Sequence, residues 1–199
     1  MLCIVAVPAR AQSLEPSFDK LGEAIGQVIA TLPEDDESLN AVQIDTSALR
    51  EAASRITPAD VPAYGRALDY DAELLETAAR APARERAAIV ADVAQDLSIK
   101  RQAGAGMGSG TTFKGRIAVR VVTRRGTIAV PGYVIALNPV RWSGATPMYR
   151  LPRLSPADAL VPPGRYEVLA LLAGACVARD VVPIGLFGDD RVDIDLPVP

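Results

Sequence analysis

The chain has 199 residues, with 24 acidic and 21 basic side chains, and its formal net charge is −3. This charge argues against a dedicated nucleic-acid binder, and the hydrophobic content of 49% is sufficient for one large domain or two small ones. Histidine is absent, which excludes Ser-His-Asp and Cys-His catalysis and metal sites with histidine ligands. We therefore predict a protein without enzymatic activity and without a cofactor.

The first eleven residues resemble the end of an export signal. An apolar run over Leu2–Val7 precedes Pro8-Ala9-Arg10-Ala11, and the bond after Ala11 has small residues one and three positions before it. Signal peptidase selects this Ala-x-Ala pattern because its cleft excludes large side chains. We predict a signal-peptide remnant over 1–11 and export to the periplasm or outside of a Gram-negative bacterium. The alternative is an accidentally hydrophobic N-terminus.

Membrane insertion is not predicted beyond this segment. No other stretch reaches the roughly 18 uncharged apolar residues that a membrane-spanning helix needs.

Residues 12–103 have the spacing of amphipathic helices. Apolar residues recur every three or four positions up to Leu32, which predicts a helix from near Ser17 to Pro33. The acidic run over 34–37 is interpreted as a solvated linker rather than a calcium loop. Further helices are predicted over 46–56, from Thr57 onward with an interruption near Tyr70, and from Pro82 to Leu97. These elements together predict a small helical bundle.

A glycine-rich stretch over 104–111 follows the helices. One interpretation is a phosphate-binding loop, because glycine lets backbone N–H groups approach a phosphate closely. However, Ser109 stands where a dinucleotide-binding fingerprint has its third glycine, and a strand pattern rather than a helix comes next. We therefore predict a flexible linker between the two halves of the chain.

Residues 112–199 have the pattern of short β-strands. Apolar and polar or small residues alternate over 116–121 and again over 191–196. Turn signals such as Gly126 and Pro162-Pro163-Gly164 separate six or seven such runs. The pattern predicts an antiparallel, immunoglobulin-like or transthyretin-like two-sheet β-sandwich, so the whole chain is predicted to be α+β, with a helical bundle followed by this sandwich.

Two motifs in this half resemble the transthyretin-like, carboxypeptidase regulatory-like sandwich domains. They lie in Thr123–Val134, which contains Gly-Thr-Ile-Ala-Val-Pro-Gly, and in Leu160–Val168, which contains Pro-Pro-Gly-Arg-Tyr. In that family the first motif is a hairpin, and the second is a turn whose Tyr ring covers one end of the sandwich. Tyr133 departs from the family pattern, which commonly has Ala there. The resemblance implies an accessory, carrier or interaction module without catalysis, and it transfers no functional residue.

Two charged groups in this half are candidate sites. Clustered carboxylates attract calcium, and residues two apart on a strand lie about 7 Å apart on one face. A basic strand face could bind an anionic partner. For both groups the alternative is a solvated outer face. The calcium candidates are Asp189, Asp190, Asp193 and Asp195, and the interaction candidates are Lys114, Arg116, Arg120, Arg124 and Arg125.

The two cysteines are not predicted to form a disulfide. Cys3 lies in the predicted signal, which leaves Cys176 without a partner. Cys176 lies in an apolar run, so we predict a small buried hydrophobic residue. The alternative is a reactive or dimer-forming thiol.

The two halves have opposite charge. Residues 12–103 contain 9 basic and 17 acidic side chains, for a net charge of −8, whereas residues 104–199 contain 11 and 7, for +4. We predict that the helices dock on the basic face of the sandwich in the same chain; the alternative is docking between chains, which gives a homo-oligomer.

These features favour a non-enzymatic exported envelope protein that acts as a protein-interaction or structural module, with another envelope protein as its partner. The alternative function is a ligand or calcium carrier that uses the C-terminal acids or the groove between the halves.

Overall fold

The computed structural model describes residues 13–32, 36–105, 113 and 115–199. The predicted signal over 1–11, half of the acidic run, most of the glycine-rich stretch and Lys114 lie outside these residues. The described part has helices in its first half and strands in its second half, so the predicted α+β class is confirmed. The helices are α1 (Glu15–Ile29), α2 (Glu37–Ala52), α3 (Val61–Arg80) and α4 (Ala83–Ala105), with a short 3-10 helix at Ala53–Arg55.

The helices form a bundle because each has apolar residues at helical spacing. In α1, Phe18, Leu21 and Val28 are at most 1% exposed and belong to one hydrophobic core. Helix α1 packs mainly against α3, and α2 packs mainly against α4. Among the described residues, no helix combines the length and the apolar composition that crossing a membrane requires.

Two predicted helix boundaries are wrong. Helix α2 starts at Glu37 instead of residue 46, because the Asp36 carboxylate accepts a hydrogen bond from the backbone N–H of Leu39 at 2.9 Å and caps the helix. Helix α3 starts at Val61 rather than at Thr57, whose hydroxyl donates to Asp60 at 2.6 Å. Helix α3 is also continuous through Tyr70.

The strands form two sheets packed around a second core. The first sheet has β1 between β5 and β8, with the short β2 also paired to β1; the second has the order β4-β3-β6-β7. The strands are β1 (Ile117–Arg125), β2 (Ile128–Ala129), β3 (Val134–Pro139), β4 (Tyr149–Leu154), β5 (Ala157–Val161), β6 (Gly164–Leu172), β7 (Ala175–Ile184) and β8 (Arg191–Pro197).

The sandwich differs from the predicted antiparallel pattern in one pair of strands. Strand β8 pairs parallel to β1, from Arg191 opposite Ala118 to Pro197 opposite Arg124. The chain leaves the second sheet after β7 and joins the first sheet in the same direction as β1. Strand β5 was not predicted, because its short Ala-Asp-Ala-Leu-Val sequence has no clear alternation.

The chain returns from α4 to the sandwich through an anchored segment. Helix α4 continues to Ala105, so the first two residues of the predicted linker are helical. Phe113, assigned to the sandwich from the sequence, instead lies in the helical core, with its ring centroid 6.2 Å from that of Tyr64. Its backbone N–H donates to the carbonyl of Arg55 at 2.8 Å. Phe113, two residues after the predicted linker, is therefore fixed to the bundle.

A substitution at Gly115, two residues after Phe113, tests how tightly the start of the sandwich half packs against the bundle. A Cβ atom at Gly115 would lie 2.8 Å from Asp60 Cβ and 2.9 Å from Ile56 Cγ2. We expect Gly115→Ala to lower the free energy of unfolding by about 1–3 kcal/mol, because the added methyl group overpacks this contact. Gly22→Ala in α1 is the control: no atom lies within 4 Å of its Cβ position, so a gain of about 0.5–1 kcal/mol is expected. Urea denaturation measures both, and equal effects would contradict the packing.

Candidate interaction surfaces

Helix α4 contacts both halves of the molecule. Val90 and Val93 lie in the helical core, and α4 also packs against β6 and against the 3-10 helix Leu186–Gly188 that follows β7. At the sandwich end, Ala103 is 3.4 Å from the position of a Cβ atom on Gly185. The helix is therefore an internal layer between the bundle and one end of the sandwich.

Two carboxylates of α4 bind arginines of the sandwich. Asp92 lies 2.5 Å from Nε of Arg141 and 2.8 Å from Nη1 of Arg165. Asp96 accepts a hydrogen bond from the backbone N–H of Arg165 at 2.5 Å. A Cβ atom on Gly164 would lie 2.8 Å from Asp96 Oδ1, so the Pro-Pro-Gly motif provides the close approach that this contact needs.

A third carboxylate fixes the start of the sandwich to the bundle. Asp60 accepts hydrogen bonds from the backbone N–H of Gly115 at 3.0 Å and from Nε of Arg116 at 2.5 Å. Burial opposes its ionised form, but the bonds from Thr57, Arg116 and Gly115 and the charge of Arg116 together lower the pKa of Asp60. With Asp92 and Asp96, this contact joins acidic residues of the helices to Arg116, Arg141 and Arg165 of the sandwich within one chain; only the first of these three belongs to the predicted basic group.

A buried ion pair lies behind these contacts. The side chains of Lys100 and Asp71 are each 2% exposed, and Lys100 Nζ is 2.8 Å from Asp71 Oδ2 and also contacts Asp96. Burial raises the pKa of Asp71, and the positive charge of Lys100 opposes this shift. The neighbouring Tyr64 hydroxyl is buried without a hydrogen-bond partner in the described part of the chain, and burial raises its pKa. Lys100 and Asp71 therefore stabilise the bundle next to its contact with the sandwich.

The five residues of the predicted interaction group, four arginines and one lysine, do not form one free basic surface. Arg116 pairs with Asp60, and Lys114 lies outside the described residues. Arg125 donates to the carbonyl oxygen of Pro199 at 2.7 Å. Strand register places Arg120 between Asp158 on β5 and Asp193 on β8.

The predicted acidic cluster occupies the same outer face of the first sheet. Asp195 lies 2.7 Å from Nε of Arg124, and Asp193 lies 2.9 Å from Nη2 of Arg191. The described residues contain no group of three or more acidic or cysteine side chains placed to hold a metal ion. Asp189 and Asp190 precede β8. The calcium hypothesis thus stays a prediction, and this face is a set of alternating charges.

Two shallow grooves run along the exposed side of α4, and both include Gln95 and Ser98. The groove between α2 and α4 has a volume of about 510 Å³ and contains the exposed Ile44. The groove between α4 and β7 has a volume of about 390 Å³ and contains Arg165 and Val181. Grooves at the boundary between two packed units are common binding surfaces.

The outer face of the second sheet is apolar at the end far from α4. Leu154, Val134, Leu171 and Cys176 are opposite one another across β4, β3, β6 and β7. The prediction that Cys176 is buried is wrong, because it lies on an edge strand and its thiol is exposed.

The interface residues were missed in the sequence, although a signal for them exists. Asp92, Asp96 and Lys100 are spaced four residues apart, so they lie on one face of a helix. This spacing identifies a charged stripe along one face of the helix. It does not identify Arg141 and Arg165 as the partners, because they are distant in sequence.

Because Lys100 is buried with Asp71 and Lys20 is exposed, we expect the loss of these two lysines to change the free energy of unfolding by different amounts. We expect Lys100→Met to lower the free energy of unfolding by about 3–5 kcal/mol, because it leaves Asp71 buried without its counter-ion. The double variant Asp71→Asn/Lys100→Met should recover most of this loss. Lys20→Met removes an exposed pair with Glu73 and should cost less than about 1 kcal/mol. Chemical denaturation tests this, and equal losses for the two lysine variants would contradict it.

The lowered pKa of Asp60 predicts a pH dependence of stability. Its stabilising effect is complete above the pKa of about 4 in the unfolded chain, and it is lost as the pH falls through the lower pKa of the folded protein. We expect the free energy of unfolding to decrease less steeply below about pH 5 in Asp60→Asn than in the unchanged protein. Arg116→Gln should also flatten the curve. Identical slopes in urea titrations at each pH would contradict this assignment.

Comparison with known proteins gives no family for this chain. No protein-family model, no curated protein and no solved structure matches it. The resemblance to transthyretin-like domains therefore stays a prediction that rests on the two motifs.

Proposed function

We propose that this protein is a non-enzymatic, exported protein of the Gram-negative envelope that acts as a protein-interaction or structural module. The observation that carries the proposal is the interface between α4 and the sandwich. Asp92 bridges two arginines there, and Lys100 is buried with Asp71 directly behind it. The charged chemistry at this boundary stabilises one arrangement of the two halves.

A fixed arrangement suits a binding module more than a pair of loosely tethered domains. Binding costs less when the surfaces are already in place, because less conformational freedom is lost. The grooves beside α4 are lined by α2 and by β7, so their shape depends on the fixed position of α4. A partner can therefore contact both halves at once.

The proposed location of the protein in the envelope rests on sequence motifs. The Ala9-Arg10-Ala11 pattern supports export. The Pro-Pro-Gly-Arg-Tyr motif leads into β6, the Tyr166 hydroxyl donates to the carbonyl of Pro162 at 2.8 Å, and the ring is buried in the sandwich core. This detail supports a relation to the transthyretin-like accessory modules.

A second candidate function is a small-ligand carrier. The 390 Å³ groove between the halves favours it, because Gln95, Ser98 and Gln102 present polar groups beside apolar walls. A rise in melting temperature with a small ligand, lost in Gln102→Ala, would support the carrier over the module.

In-cell photo-crosslinking tests the proposal. A photoreactive amino acid replaces Ser98 in the grooves, Leu154 on the second sheet or Asp158 on the charged face of the first sheet. We expect an adduct with one envelope protein from Ser98 or Leu154, no such adduct from the Asp158 control, and a mature N-terminus at Gln12. An unprocessed Met1 together with no adduct from any position would contradict the proposal.

A further inference from the structure

The outer face of the second sheet has a group of apolar side chains that belong to neither core. We call Val134, Leu154, Leu169 and Leu171 the apolar outer patch. Leu154 is 54% exposed, and the other three are half-buried. They lie on the face opposite Ile135, Leu137 and Val168, which point into the sandwich core.

Strand register makes this patch continuous. Val134 on β3 is directly opposite Leu154 on β4 and Leu171 on β6. Two residues further along the strands, Leu169 on β6 is opposite the small, buried Ala136 on β3. The two central strands therefore present an apolar column formed by Val134, Leu169 and Leu171, which covers Ala136.

The other outer face of the same sandwich has the opposite character. On the first sheet, Arg120 lies between Asp158 and Asp193, as expected for an antiparallel or mixed sheet whose outer face meets water. An apolar group on an outer face is the exception that marks an interaction site. No element among the described residues covers the apolar outer patch, because the helical half packs on the opposite end of the sandwich, at Arg165 and Gly185.

Arginines flank the apolar column on both sides. Arg150 on β4 is opposite Ala136, and Arg179 on β7 is opposite Leu169. Among the described residues Arg150 has no acidic partner, and Arg179 has Glu167 at 3.5 Å. Adjacent strands are about 4.8 Å apart, so the two arginines start about 14 Å apart across the sheet.

We propose that the apolar outer patch binds an amphipathic helix of a partner protein, with acidic residues on both flanks of its apolar stripe. An α-helix with its side chains is about 10–12 Å wide, so it fits between the two arginines and brings its flanking carboxylates to them. This inference rests on the proposed function, because it names the surface and the partner class of the module.

The charges favour this occupant over a second copy of the chain. Two copies packed face to face about an axis along the strands would place arginines opposite arginines, which is unfavourable at an interface. The four residues of the patch are also few compared with the roughly 20–30 residues that each partner contributes to a standard interface.

The test uses the exposed thiol of Cys176, which is directly opposite Leu171 at the edge of the patch. An environment-sensitive dye is attached to Cys176 in the full chain with Cys3→Ala. The probes are two synthetic helical peptides with the same leucine stripe, one flanked by glutamates and one by lysines. We expect a blue shift with the glutamate peptide and binding at least about tenfold tighter than that of the lysine peptide. Calorimetry with unlabelled protein checks that the dye is not required.

Three variants assign the binding to the patch. Leu171→Glu should abolish binding of the glutamate peptide, and Arg150→Glu should reverse the preference between the two peptides. Leu160→Glu, at a residue 55% exposed on the outer face of the first sheet, is the control and should bind as the unchanged protein does. Circular dichroism confirms that each variant folds.

Other outcomes would overturn the inference. Equal binding of both peptides, or binding unaffected by Leu171→Glu, would show that the patch does not select an acidic helix. Self-association that Leu171→Glu removes would assign the patch to a second copy. Binding to phosphatidylglycerol vesicles without binding to the glutamate peptide would assign it to a membrane. In cells, adducts from Ser98 but none from Leu154 would overturn this inference and leave the proposed function standing, whereas no adduct from any position would overturn the function itself.

Discussion

The contact between α4 and the sandwich is the interaction on which the rest of the structure depends. Burying a carboxylate or an ammonium group is costly unless its counter-ion is present, and here Asp92 has both of its partners in the other half of the chain. Lys100 is buried beside it and shares Asp96 with the backbone of Arg165. Separation of the halves would remove both arginine partners of Asp92 and the backbone donor of Asp96, so these bonds hold the bundle and the sandwich together.

The polarity of this contact has the same direction as the charge asymmetry of the chain. Asp60, Asp92 and Asp96 all belong to the helical half, and the arginines that meet them all belong to the sandwich. In this arrangement the acids of the helical half face the arginines of the sandwich, and an arrangement that placed like charges opposite each other would be unfavourable. These contacts use part of the difference between −8 and +4, and they include Arg116 from the predicted basic group.

Part of the fold could be predicted from local pattern. The stripe of α1 and the alternation of β1 and β8 each follow from side-chain period. The start of α2 was missed because Asp45, buried and paired with Arg101 at 2.6 Å, interrupts the apolar pattern of the helix. The parallel pairing of β8 with β1 could not be predicted, since alternation shows which face a residue occupies but not which strand lies beside it. For the same reason Arg120 and Asp193 were assigned to two different sites, although they are neighbours on one face.

The outward side chains of β6 change from charged to apolar along the strand. The charged end contacts α4 within the chain, and the apolar end belongs to the apolar outer patch. Its outward residues are Arg165 and Glu167 near α4 and then Leu169 and Leu171 toward the hairpin to β7. The polar end is the part that α4 covers, because Arg165 binds Asp92 through its guanidinium group and Asp96 through its backbone N–H. If contacts within the chain determined this face alone, the apolar residues would be expected under the helix and the charged residues in water. The order is reversed, and it is this reversal that the proposed partner helix would account for by covering the apolar end.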